Sequence, residues 1–107
     1  MKSLLLSAAL VIGLLGISAT SAPASNTVVV QITNFAYNPA SVTITKGETV
    51  EWINNDDAKH TATANGGTFK SPDLAKGQSF KQTFTTDGTF AYYCAFHRAM
   101  KGTVVVK

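Results

Sequence analysis

From Val28 onward the apolar residues of this chain fall on every second position, and that period of two restricts its fold more than any other feature. Val28, Val30 and Ile32 alternate with polar neighbours, as do Val42 and Ile44, then Val50 and Trp52. Successive side chains of a strand point to opposite faces, so each run describes a half-buried strand with one side on a core. Further on, Phe80 and Phe84 share a face of the run from Gln78, and Phe90, Tyr92 and Cys94 share a face of the run from Thr89. Thr103 to Val106 forms the closing run. The separators carry turn chemistry: Asn38-Pro39, Lys46-Gly47, Asn54-Asn55-Asp56-Asp57, Asn65-Gly66-Gly67, Lys76-Gly77 and Asp87-Gly88. Strands recurring about every ten residues predict an all-β, antiparallel β-sandwich with Greek-key connections, not alternating β and α units. One short turn of helix is expected from Ser71 to Ala75, with Ser71 as cap and Pro72 in the first helical position. The 107 residues suffice for one domain around one core, which leaves no room for a separate catalytic domain.

The first 24 residues follow a different pattern. Lys2 gives a positive start, Leu4 to Ile17 is almost wholly apolar, and Ala22-Pro23-Ala24 offers small residues for cleavage before Ser25. This predicts a signal peptide over residues 1–24, a mature domain over 25–107 and export to the periplasm. The competing reading, a membrane anchor, needs about 20 apolar residues and a positive stop-transfer cluster, and neither is present. No stable membrane insertion is therefore expected after cleavage. Loss of Lys2 lowers the formal charge from +3 to +2. The remaining basic residues are scattered among six acids instead of gathered in a stripe, so no nucleic-acid partner is expected.

Export makes the single cysteine, Cys94, conspicuous. In an oxidising compartment cysteines usually pair, and an odd thiol is buried, joined to another chain or occupied by a metal. Cys94 opens the segment Cys94-Ala95-Phe96-His97-Arg98-Ala99-Met100, which presents thiolate, imidazole and thioether within seven residues. Soft sulfur ligands select Cu(I), imidazole suits both copper oxidation states, and two His, one Cys and a weak axial Met make up the blue-copper set. The second imidazole has one candidate, because the chain has only two histidines and the other is His60, at the far end of the Asn54 to Lys59 turn. In a sandwich the loops before His60 and after Cys94 can emerge at one end. Taken singly, Cys94 reads as a small buried hydrophobe, His60 as a strand residue, His97 as a polar loop residue and Met100 as a core filler. Together those readings require four coincidences of type, order and spacing, and a metal site formed by His60, Cys94, His97 and Met100 outweighs them. Zinc accepts the same Cys and His ligands and remains a competitor in vitro.

The chain resembles the plastocyanin and amicyanin branch of the cupredoxins over nearly the whole mature region. The resemblance is carried by Asn34-Phe35-Ala36-Tyr37-Asn38-Pro39, by Gly47 to Asp56, by His60, by Gly88 to Cys94 and by His97 to Gly102. The Cys-x2-His-x2-Met spacing is similar to the short loop of amicyanin. By resemblance, Cys94, His60 and His97 are the equatorial ligands of one type 1 copper and Met100 is the axial one. The implied function is electron carriage, not enzyme catalysis, between redox proteins. His97 is the implied electron port, in an apolar patch with Phe96, Ala99 and Ala58. An enzyme would need a second copper or an open coordination position, and both histidines are already used. The alternative that stays open is a copper carrier or storage protein without redox traffic.

Three residues depart from the family pattern. Lys59 and Thr61 stand where relatives usually place Pro and Asn around the first His, and Phe96 stands where many have Pro. Thr61 keeps a hydroxyl able to brace the ligand loop. Phe96 brings a backbone N–H that can be aimed at the thiolate. Lys59, Arg98 and Lys101 flank ligands in sequence while no acid does so as closely, which predicts a basic rim and redox partners with an acidic docking surface. A monomer is expected.

Overall fold

A computed structural model describes residues 26–107, and every regular element among them is a strand. The segment read as a signal peptide lies outside the described residues. The strands are β1 (Thr27–Thr33), β2 (Ala36–Asn38), β3 (Ser41–Ile44), β4 (Thr49–Asn54), β5 (Thr63–Ala64), β6 (Ser79–Thr83), β7 (Gly88–Tyr93) and β8 (Lys101–Val106). They form two four-stranded sheets, ordered β2-β1-β4-β6 and β3-β8-β7-β5. The alternating residues do what their period implies: Val30, Ile32, Val50, Trp52 and Val104 are wholly buried between the sheets. Trp52 anchors the core, stacked on Phe69 at 5.2 Å and meeting the edge of Tyr92 at 5.3 Å between ring centroids. Gly102 lets the Tyr92 ring lie directly on the β8 backbone, where a Cβ would overlap it.

The sheets are mixed, not antiparallel throughout. β1 runs parallel to β4, with Val28 opposite Val50 and Ile32 opposite Asn54, and β3 runs parallel to β8, with Val42 opposite Val104. The alternation of Val28, Val30 and Ile32 reports which face a residue occupies; it carries no information about the direction of the neighbouring strand. The parallel pairing matters for the site, because β1 and β4 end side by side, as Asn55 N–H donates to Ile32 O at 2.9 Å. The turns that follow them, at 34–35 and 55–60, are thereby neighbours.

The helical turn expected from Ser71 to Ala75 is not formed. Leu74 instead exchanges both backbone hydrogen bonds with His60, at 2.8 and 3.1 Å. Ser71 does cap, but its Oγ accepts the N–H of Ala62 at 2.9 Å, so it serves a neighbouring segment instead of starting a helix. No helix among the described residues is long and apolar enough to cross a membrane.

Candidate metal centre

Asn54, wholly buried at the end of β4, organises the turn that delivers His60. Its Oδ1 accepts the N–H of Asp56 at 2.9 Å, while its Nδ2 donates to Ala58 O at 2.9 Å and Leu74 O at 2.7 Å. Such side-chain bonds to local backbone let Asn stabilise turns. The backbone of His60 is then pinned by its two bonds to Leu74. Its ring is wholly buried.

The other donors come from the β7–β8 connection. Met100 N–H donates to His97 O at 2.8 Å, His97 N–H to Cys94 O at 3.2 Å, and Cys94 N–H to Met100 O at 3.1 Å. Two short turns are thus nested inside a closed ring of seven residues, which fixes the spacing of all three side chains. Thr61 ties this ring to the His60 segment: its Oγ1 accepts the N–H of Ala95 at 2.8 Å and shares a 2.9 Å bond with Thr63 Oγ1. The hydroxyl therefore braces the loop despite the absence of the family's asparagine. Tyr37 OH donates to Thr61 O and secures the same residue from β2.

At the meeting point, ligand atoms of His60, Cys94 and His97 all lie within 4.8 Å of one another. Cys94 Sγ is 3.6 Å from His60 Nδ1 and 3.7 Å from His97 Nδ1. One ion bonded to sulfur at about 2.3 Å and nitrogen at about 2.0 Å would set them about 3.5 Å apart at a tetrahedral angle and about 3.7 Å at a trigonal one, which brackets the two separations. The pocket thus fits a single small ion on a thiolate and two imidazoles. Met100, buried at the end of the ring, completes the donor set.

Two residues at the centre were not singled out as contributors by sequence reasoning. Asp56 Oδ2 lies 2.8 Å from His60 Nε2. A carboxylate can only accept there, so Nε2 carries the proton and Nδ1 presents its lone pair toward Cys94. Partial burial pushes the Asp56 carboxyl up, but the N–H groups of Phe35 and Asn34 and the imidazole of His60 outweigh it and hold the carboxyl below its usual range. No acid flanks a ligand in sequence as closely as Lys59, Arg98 and Lys101 do, but in space Asp56 is in hydrogen-bond contact with His60. Asp56 stands four residues before His60, and that short spacing within one turn was the available signal. Phe35 is the second, 52% exposed and edge-on to His60 at 5.1 Å and to His97 at 4.9 Å.

His97 is only partly buried, and Phe96, 50% exposed, lies beside it with ring centroids 6.4 Å apart. Lys59, Arg98, Ala99 and Lys101 are exposed, and Ala58 is half-buried. Arg98 lies over the ring of Tyr93 at 5.0 Å and lines a recess with Tyr93, Asn65 and Lys101.

A two-sheet β frame that gathers two imidazoles, one thiolate and one thioether at one end defines the class of small type 1 copper proteins. Comparison with known proteins agrees. A family model described as a cupredoxin-like domain matches residues 6–106. Amicyanin of Paracoccus denitrificans is 34% identical over 89 residues, covering 78% of this chain and 68% of that protein. Plastocyanin of Scenedesmus fuscus is 37% identical over 84 residues, covering 66% and 86%. A solved Cu(I) form of an amicyanin methionine-to-alanine mutant superimposes with a TM-score of 0.74 at 34% identity, covering 79% of this chain and 86% of that one. The chain belongs to the cupredoxin family, within its amicyanin and plastocyanin branch. Its cluster of His60, Cys94, His97 and Met100 is a type 1 copper site.

Proposed function

We propose that the protein is a periplasmic blue-copper electron carrier and not an enzyme, exported by a signal peptide over residues 1–24 and working as a monomer between redox proteins. The observation that carries this reading is the buried Cys94 sulfur standing 3.6 and 3.7 Å from two imidazole nitrogens, one of them on a ring that reaches the surface. His60 Nδ1, His97 Nδ1 and Cys94 Sγ would hold copper as its strong ligands, and Met100 would supply a weaker thioether donor. Copper, when bound, supplies a one-electron couple.

The chain's residues make that couple useful by keeping the ligands still. Copper's two oxidation states ordinarily favour different geometries, so a site that does not rearrange exchanges electrons fast. The closed ring from Cys94 to Met100, the Thr61 brace and the pinned His60 backbone hold the donors in one arrangement. His97 is the electron port, with Phe35, Phe96 and Ala99 excluding water around it. Lys59, Arg98 and Lys101 form a cationic rim for a partner with an acidic docking surface.

Repeated one-electron cycling of the copper-loaded protein tests the proposal against the alternative of a carrier or storage protein. Reversible reduction and reoxidation with copper retained, monitored by metal analysis after each half-cycle, is expected. Release of copper to a mild chelator on reduction would favour the storage reading.

A further inference from the structure

We propose that Asp56 is a positioning residue of the copper centre, acting through His60 and holding the Asn34-Phe35 turn against both imidazoles. The inference rests on the copper reading above, and its starting point is how many bonds one carboxylate makes. Oδ1 accepts the N–H of Asn34 at 2.8 Å, and Oδ2 accepts the N–H of Phe35 at 2.8 Å while lying 2.8 Å from His60 Nε2. A carboxylate accepting several charge-assisted bonds is well fixed in place. It therefore fixes what it touches, and it touches two segments that are 20 or more residues apart.

The first segment is the metal-bearing turn. Metal-ligating imidazoles gain basicity and a defined ring orientation when their distal N–H is given to a carboxylate. Asp56 does this for His60 from within the turn that Asn54 organises. An electron-richer Nδ1 stabilises Cu(II) more than Cu(I), because the higher charge gains more from a stronger nitrogen donor. Asp56 thus sets the oxidation-state preference of the centre without touching copper.

The second segment is the turn after β1. Asn34 and Phe35 have φ of 54° and 58°, the left-handed region. Asn tolerates it, whereas a bulky aromatic rarely occupies it without outside support. The two N–H bonds to Asp56 are that support, and the parallel pairing of β1 with β4 brings them within reach. The result is the Phe35 ring placed perpendicular to His60 and nearly so to His97, at interplanar angles of 90° and 85°. Both imidazoles are hemmed in by an edge-to-face contact that Asp56 maintains.

The test compares the wild type with Asp56→Asn, each in the full chain. The amide keeps the size and one acceptor, but it removes the charge and sets NH2 hydrogens where N–H donors now point. Cu(II) affinity, measured by chelator competition, is expected to fall about tenfold more than Cu(I) affinity, within the 10- to 100-fold effects usual for such partners. A tenfold difference raises a one-electron potential by about 59 mV. The Cu(II) electron paramagnetic spectrum should change as the His60 ring relaxes, and the thermal midpoint of the metal-free protein should drop as the turn loosens. An unchanged potential and spectrum alongside a lower midpoint would overturn the proposal, leaving Asp56 as a fastener of the turn alone. Should Asp56→Asn fail to fold, nitrogen-resolved NMR of wild-type Cu(I) protein decides: a slowly exchanging proton on His60 Nε2 supports the proposal, and rapid exchange or protonation elsewhere refutes it. A wild type lacking a thiolate-to-copper band would instead be a failure of the copper reading itself.

Discussion

Met100 and Phe96 occupy the same seven-residue ring, yet they should act on the copper couple in opposite directions when replaced. With Met100 assigned as the weakest donor of the proposed site, Met100→Leu keeps three strong ligands and should keep copper and colour. Loss of a sulfur donor disfavours Cu(II) more than Cu(I), and each tenfold difference appears as about 59 mV of higher potential. Complete loss of copper binding by Met100→Leu would show that the thioether is a principal ligand. Phe96 stands two residues from Cys94. The N–H groups of Ala95, His97 and Met100 donate to oxygen acceptors, whereas that of Phe96 has no such acceptor among the described residues. Among the described residues it makes no hydrogen bond to Cys94 Sγ either, so the prediction is that copper binding turns this N–H toward the thiolate, where it would withdraw charge from sulfur and favour the reduced metal. Phe96→Pro removes that donor and should lower the potential. If voltammetry finds the potential unchanged while partner reduction slows, Phe96 acts only as part of the apolar patch.

At the scale of elements, β2 and β7 carry the aromatic pair that stands behind the site, Tyr37 and Tyr92, with centroids 4.6 Å apart. Burial pushes the Tyr92 phenol up to about 12, and burial together with the nearby Cys94 pushes Tyr37 up further. An unfolded phenol ionises near pH 10. Both folded values lie above it, so their stabilising contribution is complete below about pH 10 and is lost as pH rises through about 12. Alkaline unfolding followed by circular dichroism should coincide with the ultraviolet appearance of tyrosinate from these two residues. Tyrosinate from Tyr37 and Tyr92 at pH 10 in a fully folded protein would contradict this. Much of the fold was legible because Val28 to Ile32, Val50 to Trp52 and Phe90 to Tyr92 are half-buried strands whose period survives in the sequence. β2 and β5 were not, since strands of three and two residues show no period. Ser71-Pro72 has the chemistry of a helix start, but tertiary pairing of Leu74 with His60 overrode it. At the site, Cys94, His60, His97 and Met100 stood out because their residue types are scarce in the chain. The roles of Asp56 and Phe35 depend on β1 lying parallel to β4, a neighbour relation that alternation does not encode.

At the scale of the whole molecule, the proposed docking end has three exposed cations next to copper ligands in the chain, Lys59, Arg98 and Lys101. Lys46 pairs with Asp87 and Lys76 with Asp57, whereas Lys59, Arg98 and Lys101 form no ion pair among the described residues. On the proposed docking mode these cations would steer an acidic surface toward His97, and such steering is screened beyond about 10 Å at 0.1 M salt. Association with the physiological partner should therefore slow as ionic strength rises. Lys59→Glu together with Arg98→Glu should slow it at low salt while leaving the visible spectrum nearly unchanged. A stopped-flow rate indifferent to both would assign recognition to Phe35, Phe96 and Ala99 alone. The redox and docking expectations depend on Cys94 binding copper as a thiolate between His60 and His97. The visible absorption spectrum of the oxidised, stoichiometrically copper-loaded protein tests that dependence most directly. It should show the intense thiolate-to-copper band in the wild type and lose it in Cys94→Ser, whereas a folded, fully copper-loaded wild type without colour would contradict the account.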